Sequence, residues 1–165
     1  MMYENFIKTN KVAFIAELNR ICGLLGCNVD DMMVCMYAES RLNEKARNPK
    51  TRATGLIQFM PSTAIGLQTT VDKLLALTNV QQLFYVYKYF KPYTGKIHSV
   101  YDLYKIVFFP IMIGRDANWV LKSDTLSAET VARANPIIDI NKNGQITVAE
   151  FEQYVSAFIK KKLIA

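Results

Sequence analysis

Residues 30–42, DDMMVCMYAESRL, decide how this sequence is interpreted. The stretch is apolar nearly all round its first turns, which is typical of a central, buried helix. Glu39 follows Cys35 by four residues and Met36 by three, so on a helix it projects from the same face as these apolar side chains. A carboxyl group placed there is partly desolvated, which favours its neutral form. A carboxylic acid that stays protonated near neutral pH is what general-acid catalysis needs.

A purely structural role for Glu39 is the alternative. In that interpretation the carboxylate pairs with Arg41 or Arg47 at the end of the helix. Ion pairs perturb carboxylates much as active sites do, so these residues alone leave both interpretations open.

The rest of the chain is also predicted to be mainly helical. The segment from Asn43 to Pro61 is expected to be a polar loop. Asn79 and Gln82 are expected to form a capping box before a long aromatic helix, with Phe84 on its buried face. No alternating strand pattern and no internal repeat occurs, so the fold class is mainly α.

The composition excludes several classes of function. The 165 residues are 51% hydrophobic and carry a formal charge of +6, which indicates a globular protein. His98 is the only histidine, which excludes a site with two histidine ligands. No apolar run approaches the ~18 residues of a membrane span, and the N-terminus lacks the continuous apolar core of a secretory signal. We therefore expect no membrane insertion. The basic residues are scattered along the chain, so we also expect no nucleic-acid partner.

The three cysteines, Cys22, Cys27 and Cys35, are an odd number without the spacing of metal ligands. A disulfide framework is therefore not expected. Cys35 lies in an apolar stretch and is predicted to be a reduced, buried thiol.

Three motifs continue from the helix that ends at Glu39. They read ESRLN at 39–43, ARN at 46–48 and GLIQFMPSTA at 55–64. In this order and spacing they resemble the lysozyme-like fold of soluble lytic transglycosylases and goose-type lysozymes. The resemblance covers residues 30–67 closely and continues more loosely to about residue 110.

The resemblance implies roles for particular residues. Glu39 matches the catalytic acid of the family, and Ser40 matches the residue that supports this acid. The residues implied for substrate binding are Gly55, Leu56, Gln58, Phe59 and Met60. Gln58 offers a donor and an acceptor, which suits an N-acetyl or hydroxyl group of a glycan. A simple turn at Gly55, and core packing of Phe59 and Met60, remain open as alternatives.

A third family motif, Ala-Tyr-Asn-x-Gly, is missing from this sequence. Tyr104 lies at about the right distance to replace its tyrosine, which hydrogen-bonds the acid in the family. Tyr101 is a second candidate, and an ordinary core role for either tyrosine is the alternative.

The resemblance implies cleavage of the β-1,4 bond between N-acetylmuramic acid and N-acetylglucosamine in peptidoglycan. It implies a single-acid route without a cofactor, in which Glu39 protonates the glycosidic oxygen and then promotes closure of a 1,6-anhydro ring. A glycosidase with two carboxylates would need Glu44 or the more distant Asp102 or Asp116. A muramidase, a chitinase and a non-catalytic, calcium-stabilised glycan-binding or structural module remain alternatives.

Residues 139–150, DINKNGQITVAE, fit the twelve-residue EF-hand loop at every constrained position. The predicted calcium ligands are Asp139, Asn141, Asn143, Gln145 and Glu150. Only two of these are acidic, so the expected Ca²⁺ affinity is modest and the expected role structural. An Asn-Gly turn followed by a capping box from Thr147 to Glu150 is the alternative that needs no metal.

The sequence therefore predicts a lysozyme-like catalytic domain over residues 1–135 and an EF-hand-like calcium element over residues 136–165. The expected partners are peptidoglycan glycan strands. The small size and the absence of a signal peptide and of a wall-binding repeat resemble a phage-borne lysin. Such a protein would act on the bacterial cell wall, in association with other proteins of a virion tail.

Overall fold

The computed structural model describes residues 1–164 and is mainly helical. Within this range the extended backbone forms isolated bridges and no strand, which confirms the predicted fold class. The chain divides into two compact units, one comprising Met1–Val100 and the other beginning at Tyr101. This division does not coincide with the predicted boundary between residues 135 and 136, which stays a prediction.

The first unit contains five α-helices. They are α1 (Lys11–Leu25), α2 (Val29–Ser40), α3 (Pro61–Gly66), α4 (Val71–Ala76) and α5 (Asn79–Phe90). Helix α1 contacts both α5 and α2. The predicted central helix is α2, and Met32, Met33 and Met36 on it are completely buried.

Both ends of α2 are fixed by local interactions. Asn28 caps its first turn, because the Asn28 side chain accepts hydrogen bonds from the backbone N–H groups of Asp30 (2.7 Å) and Asp31 (3.4 Å). After the helix, Arg41 and Leu42 both have a φ of 59°. Two consecutive left-handed residues other than glycine cost of order 1–3 kcal/mol each, so the surrounding structure must impose this sharp turn.

The start of α5 differs from the prediction in two ways. Its capping box is formed by Thr78 and Gln81, one residue before the predicted pair of Asn79 and Gln82. Gln82 is instead completely buried, whereas Phe84, predicted to be buried, is 55% exposed. The buried face of α5 is therefore rotated relative to the aromatic pattern, because the polar side chains of Asn79 and Gln82 lie in the interior.

The second unit contains α6 (Val100–Phe108), which begins at the division itself, α7 (Ala128–Ala134) and α8 (Val148–Ile164). It has its own apolar interior, whose completely or almost completely buried side chains include Leu103, Leu121, Ile146, Phe151 and Val155.

A buried lysine adds an ionic contact inside the second unit. The ammonium group of Lys105 lies 2.7 Å from a carboxylate oxygen of Glu152 and 3.4 Å from one of Asp102. Two carboxylates therefore offset the cost of burying this charge.

No single helix between residues 1 and 164 is long and apolar enough to cross a membrane. By length and composition, α1 and α2 would satisfy this test as a pair, but the two helices meet at 116°.

We expect Thr78→Ala to lower the free energy of unfolding by about 1 kcal/mol, because the first turn of α5 loses its cap. Urea denaturation measures this loss. Ser62→Ala, at an exposed position on α3, serves as the control and should change stability by less than about 0.5 kcal/mol. A Thr78→Ala loss no larger than that of the control would contradict the capping box.

Candidate functional site

Glu39 is the penultimate residue of α2 and is half-buried, at the boundary between the apolar interior and solvent. The left-handed turn that begins at Arg41 follows immediately. The last turn of a capped, buried helix therefore fixes the backbone of this carboxylic acid, as a catalytic group requires.

Ser40 links the end of α2 to the loop that follows. Its buried hydroxyl lies 3.0 Å from the carbonyl oxygen of Met36 and 2.8 Å from that of Leu56. A hydroxyl has one proton to donate, so it serves one of these two acceptors at a time. The residue next to Glu39 therefore connects the helix directly to the motif at residues 55–64.

Residues 54–59, which include the start of that motif, form a tight hairpin turn. Thr54 and Phe59 exchange two backbone hydrogen bonds of 3.0 and 2.9 Å, and the N–H of Gln58 donates to the carbonyl of Gly55 at 3.1 Å. Two of the four residues between Thr54 and Phe59 have positive φ, which is 83° at Gly55 and 54° at Gln58.

The side chain of Gln82 on α5 holds this turn in place. Its Oε1 accepts the backbone N–H of Leu56 at 3.0 Å, and its Nε2 donates to the carbonyls of Glu44 (2.8 Å) and Leu74 (2.9 Å). Gln82 is 0% exposed. One buried amide therefore joins three separate segments of the first unit.

Gly55 is required at its position for a steric reason. A Cβ atom added there would lie 2.4 Å from Oε1 of Gln82, and the φ of 83° already favours glycine. The turn that the sequence left open as an alternative is therefore present. It exists because the backbone approaches a buried side chain.

The amide of Gln58 is partly used inside the loop. Its Nε2 donates to the carbonyls of Ala46 (3.3 Å) and Gly55 (3.1 Å). The donor half predicted to bind a glycan therefore has internal partners in this structure. A contact between Gln58 and a glycan stays a prediction.

The apolar residues of the motif differ in exposure. Leu56 and Phe59 are 0% and 2% exposed and pack in the interior, whereas Met60 is 44% exposed. The ring of Phe59 contacts Tyr89 edge-on, and burial raises the pKa of Tyr89 to about 12. Leu56 and Phe59 thus maintain the shape of the turn. The side chain of Met60 is accessible to a substrate, and its contact with one stays a prediction.

Arginine side chains brace the rest of the loop. Arg47 donates to Thr54 Oγ1 at 3.0 Å and to Asp72 at 2.9 Å, and Arg52 donates to the same carboxylate at 3.0 Å. These hydrogen bonds lower the pKa of Asp72. The guanidinium of Arg41 lies 4.6 Å from the ring centroid of Tyr37. The 41–60 loop is therefore tied to α4 as well as to α2 and α5.

Tyr104, the candidate for the missing third motif, belongs to the second unit. It lies on α6 and is 9% exposed, and its ring packs edge-on against Phe158 at 5.9 Å. The hydroxyl of Tyr101 hydrogen-bonds to that of Ser156 in the same unit. The role of Tyr104 toward Glu39 stays a prediction.

The predicted calcium loop is well ordered by its own side chains. The Asp139 carboxylate accepts the N–H groups of Asn143 (3.1 Å) and Gly144 (2.9 Å). Asn141 Oδ1 accepts the same Asn143 N–H at 3.0 Å, and Asn143 Oδ1 accepts that of Gln145 at 3.0 Å. Loop positions 1, 3 and 5 therefore turn their oxygen atoms towards the loop's own backbone.

Glu150 closes this loop through both carboxylate oxygens. One accepts the N–H of Asn141 at 3.2 Å, and the other accepts the N–H (2.9 Å) and hydroxyl (3.1 Å) of Thr147. Thr147 Oγ1 accepts the Glu150 N–H at 3.2 Å in return. The capping box of the metal-free alternative is therefore present, formed by the same carboxylate that EF-hand loops use for Ca²⁺.

No group of three or more His, Cys, Asp or Glu side chains within residues 1–164 is placed to hold a metal ion. The predicted calcium ligands contain only two carboxylates, so most of their oxygens come from amides and a backbone carbonyl. Calcium accepts such ligands readily. The residues present therefore fit Ca²⁺ better than a transition metal.

The predicted calcium loop pairs with an extended segment that the sequence analysis did not predict. The N–H of Leu121 donates to the carbonyl of Ile146 at 2.8 Å, and the N–H of Val148 donates to that of Trp119 at 3.0 Å. An antiparallel bridge joins Val120 to Thr147. The only local signal is the short apolar run WVL at 119–121, which is too brief to indicate a strand.

Gln82 was recognised in the sequence only as a capping residue. The signal for its structural role is a glutamine four residues before Val86 and eight before Phe90, on the buried face of α5, where every residue after it is apolar. A polar residue at such a position indicates a buried hydrogen-bonding centre, since buried polar groups need partners.

Residues 27–99 match the family model of the transglycosylase SLT domain. The match covers slightly less than half of the chain and includes Glu39, Ser40, the 54–59 turn and Gln82. No curated protein and no solved structure matches the chain significantly. The match supports a relationship to the lysozyme-like lytic transglycosylase superfamily, and with it peptidoglycan as the substrate and lytic-transglycosylase chemistry in general.

We expect Gly55→Ala to lower the free energy of unfolding by about 2–4 kcal/mol, since it combines left-handed strain with overlap on Gln82. Gly23→Ala is the matched control, because an added Cβ there meets nothing within 4 Å. This control should stabilise the protein by about 0.4–1 kcal/mol. Urea denaturation of both variants, of Gln82→Ala and of Gly55→Ala/Gln82→Ala tests the contact. Strict additivity in the double variant would contradict it, because removing the amide should relieve part of the overlap.

Proposed function

We propose that this protein is a lytic transglycosylase that cleaves the MurNAc-β-1,4-GlcNAc bond of peptidoglycan with Glu39 as its single catalytic acid. The observation that carries the proposal is the placement of Glu39. It is half-buried at the end of a capped helix, and the next residue, Ser40, hydrogen-bonds to the 54–59 turn. Both features lie inside the segment that matches the SLT domain.

In the proposed reaction, protonated Glu39 donates its proton to the glycosidic oxygen, and the bond between this oxygen and C1 of the muramic acid breaks. The substrate's own N-acetyl group stabilises the positive charge that develops at C1. The Glu39 carboxylate then accepts the proton of the C6 hydroxyl, whose oxygen bonds to C1 and closes the 1,6-anhydro ring. Glu39 ends the cycle protonated, so one carboxylate serves as acid and then as base.

Partial burial suits Glu39 to both steps. Lower solvation favours the neutral acid before bond cleavage, and the position at the edge of the interior keeps the carboxyl group within reach of a polymeric substrate. Glu44 is the nearest other acid in the sequence, and its backbone carbonyl accepts the hydrogen bond from Gln82. Its side chain is therefore the natural control for a mechanism that uses two carboxylates.

Glu39→Gln should reduce the release of muropeptides from purified peptidoglycan by at least about 10²-fold, because the amide cannot donate the required proton. Mass spectrometry of the products measures this loss and identifies their ends. The wild type should release 1,6-anhydro-muropeptides, and Glu44→Gln should do the same at a similar rate.

Each other result identifies a different function. Reducing-end products from the wild type would make the protein a muramidase that acts at the same site. Loss of activity in both variants would indicate two catalytic carboxylates. Unchanged activity of Glu39→Gln would exclude Glu39 as the acid. Binding to peptidoglycan without products from any variant would favour the non-catalytic glycan-binding module.

We further propose that residues 139–150 bind Ca²⁺ in a structural role, through Asp139, Asn141, Asn143, Gln145 and Glu150. The support is the closed loop in which Asp139 and Glu150 both accept backbone N–H groups. A bound cation would neutralise these two carboxylates and hold the start of α8 to the loop. The glycosidic chemistry does not require it.

Calcium at millimolar concentration should raise the melting temperature of the wild type, because it binds the folded state in preference to the unfolded one. The response should disappear in Asp139→Ala and in Glu150→Gln. Asp124→Asn, at an exposed position outside the loop, is the control and should retain it. Equal calcium responses of the wild type and Asp139→Ala would contradict the site.

A phage origin, and a place in a virion tail, stay predictions. Detection of the protein in purified virions would test them.

A further inference from the structure

Two of the three cysteines meet at the end of α1. Cys22 lies in the last turn of this helix, and Cys27 is the second residue after its end. The thiols of these two residues are close enough to shift each other's pKa, upward for Cys22 and downward for Cys27. The sequence separation of five residues gives no hint of this contact, because in an uninterrupted helix such residues do not share a face.

The helix cap explains why the thiols meet. The N–H of Cys27 donates to the carbonyl of Cys22 at 3.0 Å, and the N–H of Gly26 donates to that of Gly23 at 3.3 Å. Gly26 has a φ of 70°. Together these form a Schellman motif, whose 6→1 bond characteristically brings the side chains at its two ends into contact. Here both of those side chains carry sulfur.

The same backbone hydrogen bond limits the distance between the two α-carbons. With an N···O distance of 3.0 Å, standard bond lengths keep them within about 7 Å, close to the upper end of the range that a disulfide spans. Two further features fix the cap. The N–H of Gly95 donates to the carbonyl of Leu25 at 2.9 Å, and Asn28, which caps the start of α2, directly follows Cys27.

We propose that Cys22 and Cys27 form a reversible disulfide, a redox modification site at the junction of α1 and α2. The structure holds both residues as free thiols, and so describes the reduced state of this pair. Oxidation requires a disulfide of low molecular weight as the co-reactant. The proposal does not depend on the glycosidase activity proposed above.

The two thiols differ in ways that assign them roles. Cys27 is half-buried and accessible to a small reagent, whereas Cys22 is 2% exposed. The hydrogen bond from the Cys22 thiol lowers the pKa of Cys27, and the same bond together with burial raises the pKa of Cys22. Cys27 is therefore the thiol that ionises and reacts first, and Cys22 is the thiol that resolves.

The reaction has two balanced steps. The Cys27 thiolate attacks one sulfur of the oxidant, forms a mixed disulfide and releases one thiolate. That bond removes the hydrogen bond that raised the pKa of Cys22, and Cys22 then loses its proton to the released thiolate. The Cys22 thiolate attacks the Cys27 sulfur, closes the disulfide and releases the second thiolate, which takes up from solvent the proton that Cys27 lost on ionisation. The two cysteines are oxidised, and one molecule of the external disulfide is reduced to two thiols.

To test this, the reduced, folded, full-length protein is incubated with oxidised glutathione. The reaction is quenched with acid, free thiols are alkylated, and the products are analysed by intact mass and peptide mapping. The wild type should carry two fewer alkyl groups than the reduced control, with the cross-link mapped to Cys22 and Cys27 and reversed by dithiothreitol. Cys35→Ser should behave in the same way. Cys22→Ser should accumulate at least about tenfold more glutathione adduct on Cys27 than the wild type, because nothing resolves it.

Several outcomes would overturn the proposal. They are a wild type that retains all three thiols while Cys22→Ser takes up glutathione, a stable glutathione adduct on wild-type Cys27, and a cross-link that includes Cys35. A Cys27→Ser variant that still loses two thiols would also overturn it. Circular dichroism of each variant before oxidation verifies that the comparison is made between folded proteins.

Discussion

The side-chain amide of Gln82 is the interaction on which the candidate site depends. It satisfies the N–H of Leu56 and the carbonyls of Glu44 and Leu74 in an interior that is closed to solvent. Each of these backbone groups would cost about 1–3 kcal/mol if it were buried without a partner. The loop between α2 and α3 has backbone hydrogen bonds of its own, and a side chain from α5 holds it to the rest of the first unit.

The position of the turn beside Glu39 follows from this constraint. Leu56 is bound on both sides, because its N–H donates to Gln82 and its carbonyl accepts from Ser40. Gly55 permits the close approach, since any Cβ would overlap the amide. Loops that carry functional groups are usually variable and mobile, but this one is fixed to two helices by buried polar contacts. The end of α2, where Glu39 lies, is thus joined to a loop of defined shape.

Sequence reasoning succeeded where the controlling interactions are local. The apolar pattern of residues 30–42 predicted α2 as a central helix and placed Glu39 at its buried edge. It failed where partners are distant in the sequence. Gln82 was interpreted as a cap because its buried partners lie 8–38 residues away. Phe84 was assigned to the interior by its apolar character alone. Residues 117–121 make backbone hydrogen bonds only because residues 146–149 lie beside them.

The division of the chain after Val100 has an evolutionary consequence. The match to the SLT domain ends at residue 99, and the residues from Tyr101 onwards have a buried interior of their own. A segment that contributes its own core can be a unit of recombination in evolution. The segment that matches the SLT domain and the C-terminal unit would then have separate histories, so a relative that lacks residues 139–150 would be no less closely related through residues 27–99.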